Sequence, residues 1–210
     1  MNHLLPGRLN FISLQTSLDR AIPFYAPWEI VYFLTVVLPF FPIFYIRDRR
    51  YYLRIIQYFN STLVVCYVFF LSLPVKIERV TPQGDDFFSW GVRLNHILDN
   101  PINCFPSFHV TIAFSIAFMI QKISRSLGML FHFLAFLISL SVLFTKAHFV
   151  YDVIGGFTLA VIGYFIFLKG FRFRGKRKRA NDNAWWQFII LFMTLLSFIY
   201  GLYYFELVKL

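Results

Sequence analysis

The chain is short of charge. Only 14% of its 210 residues are Asp, Glu, Lys or Arg, where a soluble domain of this size carries roughly a quarter. Acidic residues are the scarcest, ten against twenty basic ones. Cysteine is almost absent. Cys66 and Cys104 both lie in or beside apolar runs, which gives no basis for a disulfide framework or a cysteine metal cluster. The start lacks a basic stretch followed by a short apolar core and a small-residue cleavage site, so no removable signal peptide is expected. No internal repeat is apparent.

What replaces charge is apolar and aromatic bulk. Hydrophobic residues make up 59% of the chain and aromatics 21%, with 29 phenylalanines. Apolar runs long enough to cross a bilayer as helices recur along it. The expected fold is all-α, a polytopic membrane bundle of about six transmembrane helices in one domain over residues 1–210. Strands are excluded because an isolated strand cannot satisfy its backbone polar groups in lipid. Spans are expected at about Trp28–Ile46, Leu53–Leu73, Cys104–Ile120, Leu127–Phe144, Phe149–Leu168 and Trp186–Tyr204. Pro39 and Pro42 should kink the first. Residues 1–27, broken by Pro6, Gly7, Pro23 and Pro27, form an interfacial N-terminal segment in which Leu9–Ile22 could lie as a short amphipathic helix.

The net charge of +10 could suit nucleic acid, but the basic residues sit between apolar runs and not on one soluble face. No nucleic-acid partner is expected. Membrane topology accounts for them. Arg47, Arg49, Arg50 and Arg54 follow the first span, and Lys122 and Arg125 separate the third and fourth. Lys169, Arg172, Arg174, Lys176, Arg177, Lys178 and Arg179 follow the fifth. These three loops alternate so as to share one side, and they hold most of the twenty Lys and Arg. They mark the cytoplasmic face. The Lys76–Asn103 loop, the His148 region and both termini then face away from it. The run Lys169–Arg179 is foremost a topology anchor, with anionic lipid head groups as a second use.

Two polar islands at the edges of apolar runs stand out. In the first, Pro106 fits the opening turn of the third span. Ser107 and His109 then sit where free N–H groups and the helix dipole favour an anion, with His109 placed to exchange a proton. In the second, His148 and Asp152 are four apart and hence on one helical face. A carboxylate that takes the proton of one imidazole nitrogen leaves the other free to attack. Lys146 lies just upstream and could neutralise a phosphate oxygen. Lys76 and Arg79 are three apart, so a helical turn would put them on one side, as suits a phosphate; snorkelling at a helix end is the alternative. Asp85, Asp86 and Asp99 have no histidine at metal-ligand spacing, so no metal or other cofactor is expected. Asp99 and Asn103 are expected to brace the site from behind. Gly155-Gly156 should let a neighbouring helix approach closely. His132, within the fourth span, is expected to bond a neighbouring helix.

These residues carry a resemblance. Pro106-Ser107-Phe108-His109 followed by His148-x-x-x-Asp152 looks like the paired motifs of the type 2 phosphatidic acid phosphatase superfamily, the lipid phosphate phosphatases. Leu18-Asp19-Arg20-Ala21-Ile22-Pro23-Phe24 resembles the Asp-x-x-Ile-Pro-Phe entry of the branch that includes inositol phosphorylceramide synthases. The likeness covers about residues 18–168. Two motifs depart from the family. Its Lys, six residues, Arg-Pro becomes Lys76-Ile77-Glu78-Arg79-Val80-Thr81-Pro82, and its Ser-Arg becomes Ser141-Val142, with Lys146 as a substitute cation.

The resemblance implies a metal-independent lipid phosphatase acting through a phosphohistidine. His148 would be the nucleophile, Asp152 its orienter and His109 the acid. Lys76, Arg79, Ser107 and Lys146 would hold the phosphate of a membrane phospholipid or isoprenoid phosphate. The setting implied is the cell inner (plasma) membrane, with the site on the non-cytoplasmic face. A head-group transferase similar to inositol phosphorylceramide synthase is the alternative within enzymes. A non-catalytic transport or scaffold protein is the alternative outside them. If one phosphate is to bridge both imidazoles, the two must lie within about 10 Å of each other.

Overall fold

A computed structural model describes residues 11–173 and 180–205. The basic residues Arg174 and Lys176–Arg179 lie outside the described residues, as do Pro6, Gly7 and the first two residues of the expected Leu9–Ile22 helix. Among the described residues all regular structure is helical. In chain order the helices are α1 (Ser17–Ala21), α2 (Ala26–Tyr45), α3 (Arg49–Ser72), α4 (Phe87–Leu98), α5 (Phe108–Gln121), α6 (Arg125–Phe144), α7 (Val150–Leu168) and α8 (Ala184–Tyr204).

Five of these, α2, α3, α6, α7 and α8, are long and apolar enough to cross a membrane. The chain is an integral membrane protein. The expected third span is different. It starts at Phe108 and not near Cys104, and its 14 residues rise roughly 21 Å, short of the ~30 Å hydrocarbon thickness. Eight of those residues are buried, and α5 packs on α6 and α7 as an internal post. By contrast α8 turns Trp186, Ile190 and Phe198 outward, as a helix facing lipid can.

Proline shapes α2 as expected. It alternates short α-helical and 3-10 turns, with Pro27 and Pro39 in the 3-10 turns and Pro42 opening the last α-helical piece. A proline removes one backbone donor and clashes with the preceding turn, so this span cannot wind uniformly. Elsewhere the caps are orderly. Asp48, Asp86, Ser107 and Ser124 each accept a backbone N–H in the first turn of the helix they precede, the preferred chemistry for that position.

One end of the bundle gathers the basic loops. Ile46 pairs with Ala180, the Lys122 ammonium donates to Lys169 O, and Arg50 sits over the Phe171 ring. At the same end Tyr51 in the first turn of α3 donates to Met119 O in the last turn of α5. The two histidine segments lie at the other end. There Tyr25 N–H donates to Phe144 O, and Trp28 stacks on Phe144.

The N-terminal segment is not the expected amphipathic helix. Only Ser17–Ala21 is helical, in a capping box between Thr16 and Asp19. Before it, Ile12 pairs in parallel with Val75: Ile12 N–H donates to Pro74 O and Lys76 N–H to Ile12 O. Pairing holds residues 74–77 extended, with Val75 and Ile77 buried.

Candidate active site

The extended backbone at 74–77 separates two cations that a helical turn would have kept together. Lys76 turns outward, over the Phe11 ring. Arg79 turns inward to Asp99, whose carboxylate lies 3.0 Å from Nη2, while Nη1 donates to His96 O and Asp99 O. Asp99 therefore holds Arg79 and makes no bond to either site histidine. Asn103 is tied by its backbone N–H to Asn100 O.

Pro106 precedes α5 and is not in its first turn; the Phe105–Pro106 peptide is cis. Ser107 is the cap itself. Its hydroxyl accepts from Val110 N–H at 3.5 Å, and its own N–H donates to Asp152 O at 2.9 Å. This last bond joins the two islands directly. Glycine allows it: a Cβ on Gly156 would lie 2.5 Å from Ser107 O, and one on Gly155 would lie 2.6 Å from the Phe105 ring. The expected close approach at this pair is thus specific to the Ser107 turn.

His109 projects from the first turn of α5. Its Nδ1 is 3.3 Å from His148 Nε2, and the ring centroids are 5.5 Å apart. His148 does not lie on the helix that carries Asp152. It precedes the cap residue Phe149, and its N–H donates to Val142 O. Asp152 Oδ2 accepts from Phe149 N–H at 2.8 Å and faces His148 Nδ1 at 3.5 Å. Asp152 is fully buried and His148 nearly so. The array Asp152–His148–His109 is continuous, with His148 Nε2 turned away from its carboxylate and toward His109.

Lys146 adopts φ 56°, a left-handed conformation that costs an ordinary residue about 1–2 kcal/mol. Its side chain explains the persistence. The ammonium donates to Asp19 O and to Ile22 O, and burial lowers its pKa against the opposing pull of Asp19.

Three neighbours of this array escaped the sequence reading of single sites. Asp19 Oδ1 accepts from Val150 N–H at 2.8 Å, so α1 clamps the start of α7. Tyr32 brings its hydroxyl within 3.1 Å of His109 Nε2 and 3.3 Å of its Nδ1. Arg20 lines a cavity of about 650 Å³ with Lys76, Lys146, Asp19, Glu78 and His148. The Asp-x-x-Ile-Pro-Phe resemblance carried a signal for Asp19. Nothing in residue spacing marked Tyr32 or Arg20. His132 also differs from expectation: its Nδ1 meets Gly128 O on its own helix at 2.8 Å, with the Phe118 ring alongside.

The Cys104 thiol, His148 and Asp152 have ligand atoms within 4.8 Å of one another. The thiol is engaged with Pro101 O at 3.2 Å.

A buried imidazole backed by a carboxylate and a half-buried one beside it thus adjoin a cavity lined by three cations. No match was found among curated proteins or among solved structures. A family model described as the PAP2 superfamily matches residues 8–166, a stretch that contains every one of these side chains. The chain belongs to the PAP2 superfamily, whose members are generally phosphatases or phosphotransferases.

Proposed function

We propose that this protein is a lipid phosphatase that works through a phosphohistidine. The observation that carries the proposal is the position of the imidazole pair between two unlike spaces. His148 lines the cavity that holds Arg20, Lys76 and Lys146. His109 lines a groove of about 400 Å³ formed with Val36, Pro39, Phe40, Phe59 and Ile112. A lipid phosphate is divided the same way: an anionic head for the first space and an apolar tail for the second.

In the proposed reaction His148 Nε2 attacks phosphorus while Asp152 holds the Nδ1 proton. The P–O bond breaks and His109 gives its proton to the departing alkoxide. Water then attacks the phosphoryl group, His109 takes the water's proton, and the P–N bond breaks to free phosphate and His148. Lys76, Lys146 and Arg20 neutralise charge on the phosphoryl oxygens, the term usually largest in such transfers. The Ser107 turn shapes the anion pocket from the α5 side. Arg79, held by Asp99, contributes field and not contact. No step calls for a metal.

The Asp19-x-x-Ile22-Pro23-Phe24 match supports placement in the branch that includes inositol phosphorylceramide synthases, and so keeps head-group transfer to an acceptor lipid as the second reading. The basic loops at the far end support a site on the non-cytoplasmic face of the inner (plasma) membrane.

Purified protein in detergent, given a panel of lipid phosphates and pyrophosphates with a chelator present, tests this. Expected is release of phosphate that His148→Ala removes. Label appearing in an added acceptor alcohol would establish the transferase instead. A strict metal requirement would overturn the mechanism. Absence of turnover on the whole panel would favour a transport or scaffold role.

A further inference from the structure

One helical turn before Tyr32, and outside the lining of the cationic cavity, lies a carboxyl group that the reaction above does not use. Glu29 is fully buried; its carboxyl makes no ion pair and no close hydrogen bond among the described residues, and its polar neighbour is the Asn95 side chain. Ionisable groups at this depth in a membrane span are costly and persist where they serve a function.

Its surroundings are arranged. Glu29 and Tyr32 are three residues apart on α2, so they share a face. Helix α4 crosses that face closely at Gly91, where a Cβ would lie 3.2 Å from Glu29 Cγ. Four residues on from Gly91, Asn95 is presented to the same side. Asn95 faces both the Glu29 carboxyl and the Tyr32 hydroxyl. Tyr32 in turn reaches His109. Glu29, Asn95, Tyr32 and His109 thus form a path from a buried carboxyl to the proton-transferring imidazole.

We propose that Glu29 is a positioning residue. With Asn95 it orients the Tyr32 hydroxyl, and Tyr32 fixes which ring nitrogen of His109 carries the proton. A hydroxyl both donates and accepts, so its direction is set by whatever bonds it from behind. Asp152 sets the tautomer of His148 on one side of the site, and Glu29 sets that of His109 on the other. Among the described residues, the other charged or titratable groups acting on this path are the Arg79–Asp99 pair beside α4 and His148 across the imidazole pair. The assignment of His109 as the acid rests on the proposed function; the orientation of its ring does not.

The test reads the ring directly. In the full chain in detergent, 15N-labelled histidine gives resonances for five residues, and His109→Gln identifies the pair of interest. Glu29→Gln and Tyr32→Phe are each expected to shift the His109 pair toward a tautomer mixture while His132 stays in place. In phosphate release from micellar short-chain phosphatidic acid, kcat should fall about tenfold with KM within about twofold, and the pH profile should be displaced. The double variant should be no worse than Tyr32→Phe alone. Unmoved His109 resonances in Tyr32→Phe or in a folded Glu29→Gln would overturn the inference. So would effects that multiply in the double variant. If Glu29→Gln does not fold, Asn95→Leu replaces it under the same criteria. Wild-type protein without phosphate release would remove the catalytic reading but leave the resonance result to stand or fall by itself.

Discussion

The two histidines are held in different ways. His148 sits in a loop fixed mainly through backbone. Val142 O accepts its N–H, Asp152 accepts from Phe149, Asp19 accepts from Val150, and Lys146 is anchored on two carbonyls of the α1 turn. His109 rides on a regular helix, and its ring is placed by side chains, Tyr32 and His148. In the proposed reaction the attacking ring must meet phosphorus at one angle, and a chain clamped on both flanks would supply that. In the same reaction His109 would present one chosen nitrogen to two oxygens in succession, and side-chain partners can hold that choice without a clamped backbone. The structure divides these needs between a clamped loop and a helix end.

The largest effects should come from removing either ring. His148→Ala is expected to lower phosphate release at least about 10⁴-fold, since the proposed reaction passes through a bond from phosphorus to its ring. His109→Ala should cost about 10²–10⁴-fold, the range for general acid–base catalysis. Near-normal turnover in His148→Ala would erase the distinction drawn between them.

Next comes the clamp. Asp19→Ala leaves Val150 N–H without its acceptor and should reduce kcat about ten- to a hundredfold, with a lower melting temperature in detergent. Tyr32→Phe should leave that melting temperature nearly unchanged, because it frees a ring and not a backbone. Equal losses of stability in the two variants would contradict the division.

Gly156→Ala tests the joint between the two segments. Its methyl would press on Ser107 O, and overpacking of this kind costs about 1–3 kcal/mol. Unfolding by heat should show the loss, and activity should fall with it as the Ser107 turn moves off Asp152. An unaltered melting temperature would mean that the helices part freely there.

The smallest effect should come from outside the site. Burial, helped by Arg79, pushes the His96 pKa down to about 4 from the usual value near 6.5. Between these values the unfolded chain binds a proton that the folded one refuses. Stability from this group should therefore fall as pH drops from about 6.5 toward 4 and level off below. His96→Gln should flatten that part of a melting-temperature profile measured against pH; an unchanged slope would exclude His96 as its source.

Much of this was legible before any coordinates. Hydropathy gave the long spans, because a bilayer demands length and apolarity of each one separately. The order of the two motifs pointed to His109, His148 and Asp152. What escaped was non-local. Lys76 and Arg79 look like neighbours on a turn until Ile12, more than sixty residues earlier, draws residues 74–77 into an extended pairing. Asp19 and Val150 have nothing in common as sequence. The placement of Pro106 ahead of α5 depends on Ser107 taking the cap, a choice that local propensity leaves open because both residues favour helix starts.

The shortness of α5 has a consequence for access. Level with α3 at the Tyr51–Met119 bond, α5 rises roughly 21 Å where the 24 residues of α3 rise roughly 36 Å. Its first turn, and His109 with it, therefore reaches less far from that bond than the end of α3 does. In the proposed reaction a lipid phosphate would have to travel inward from the end of α3 before it met either imidazole.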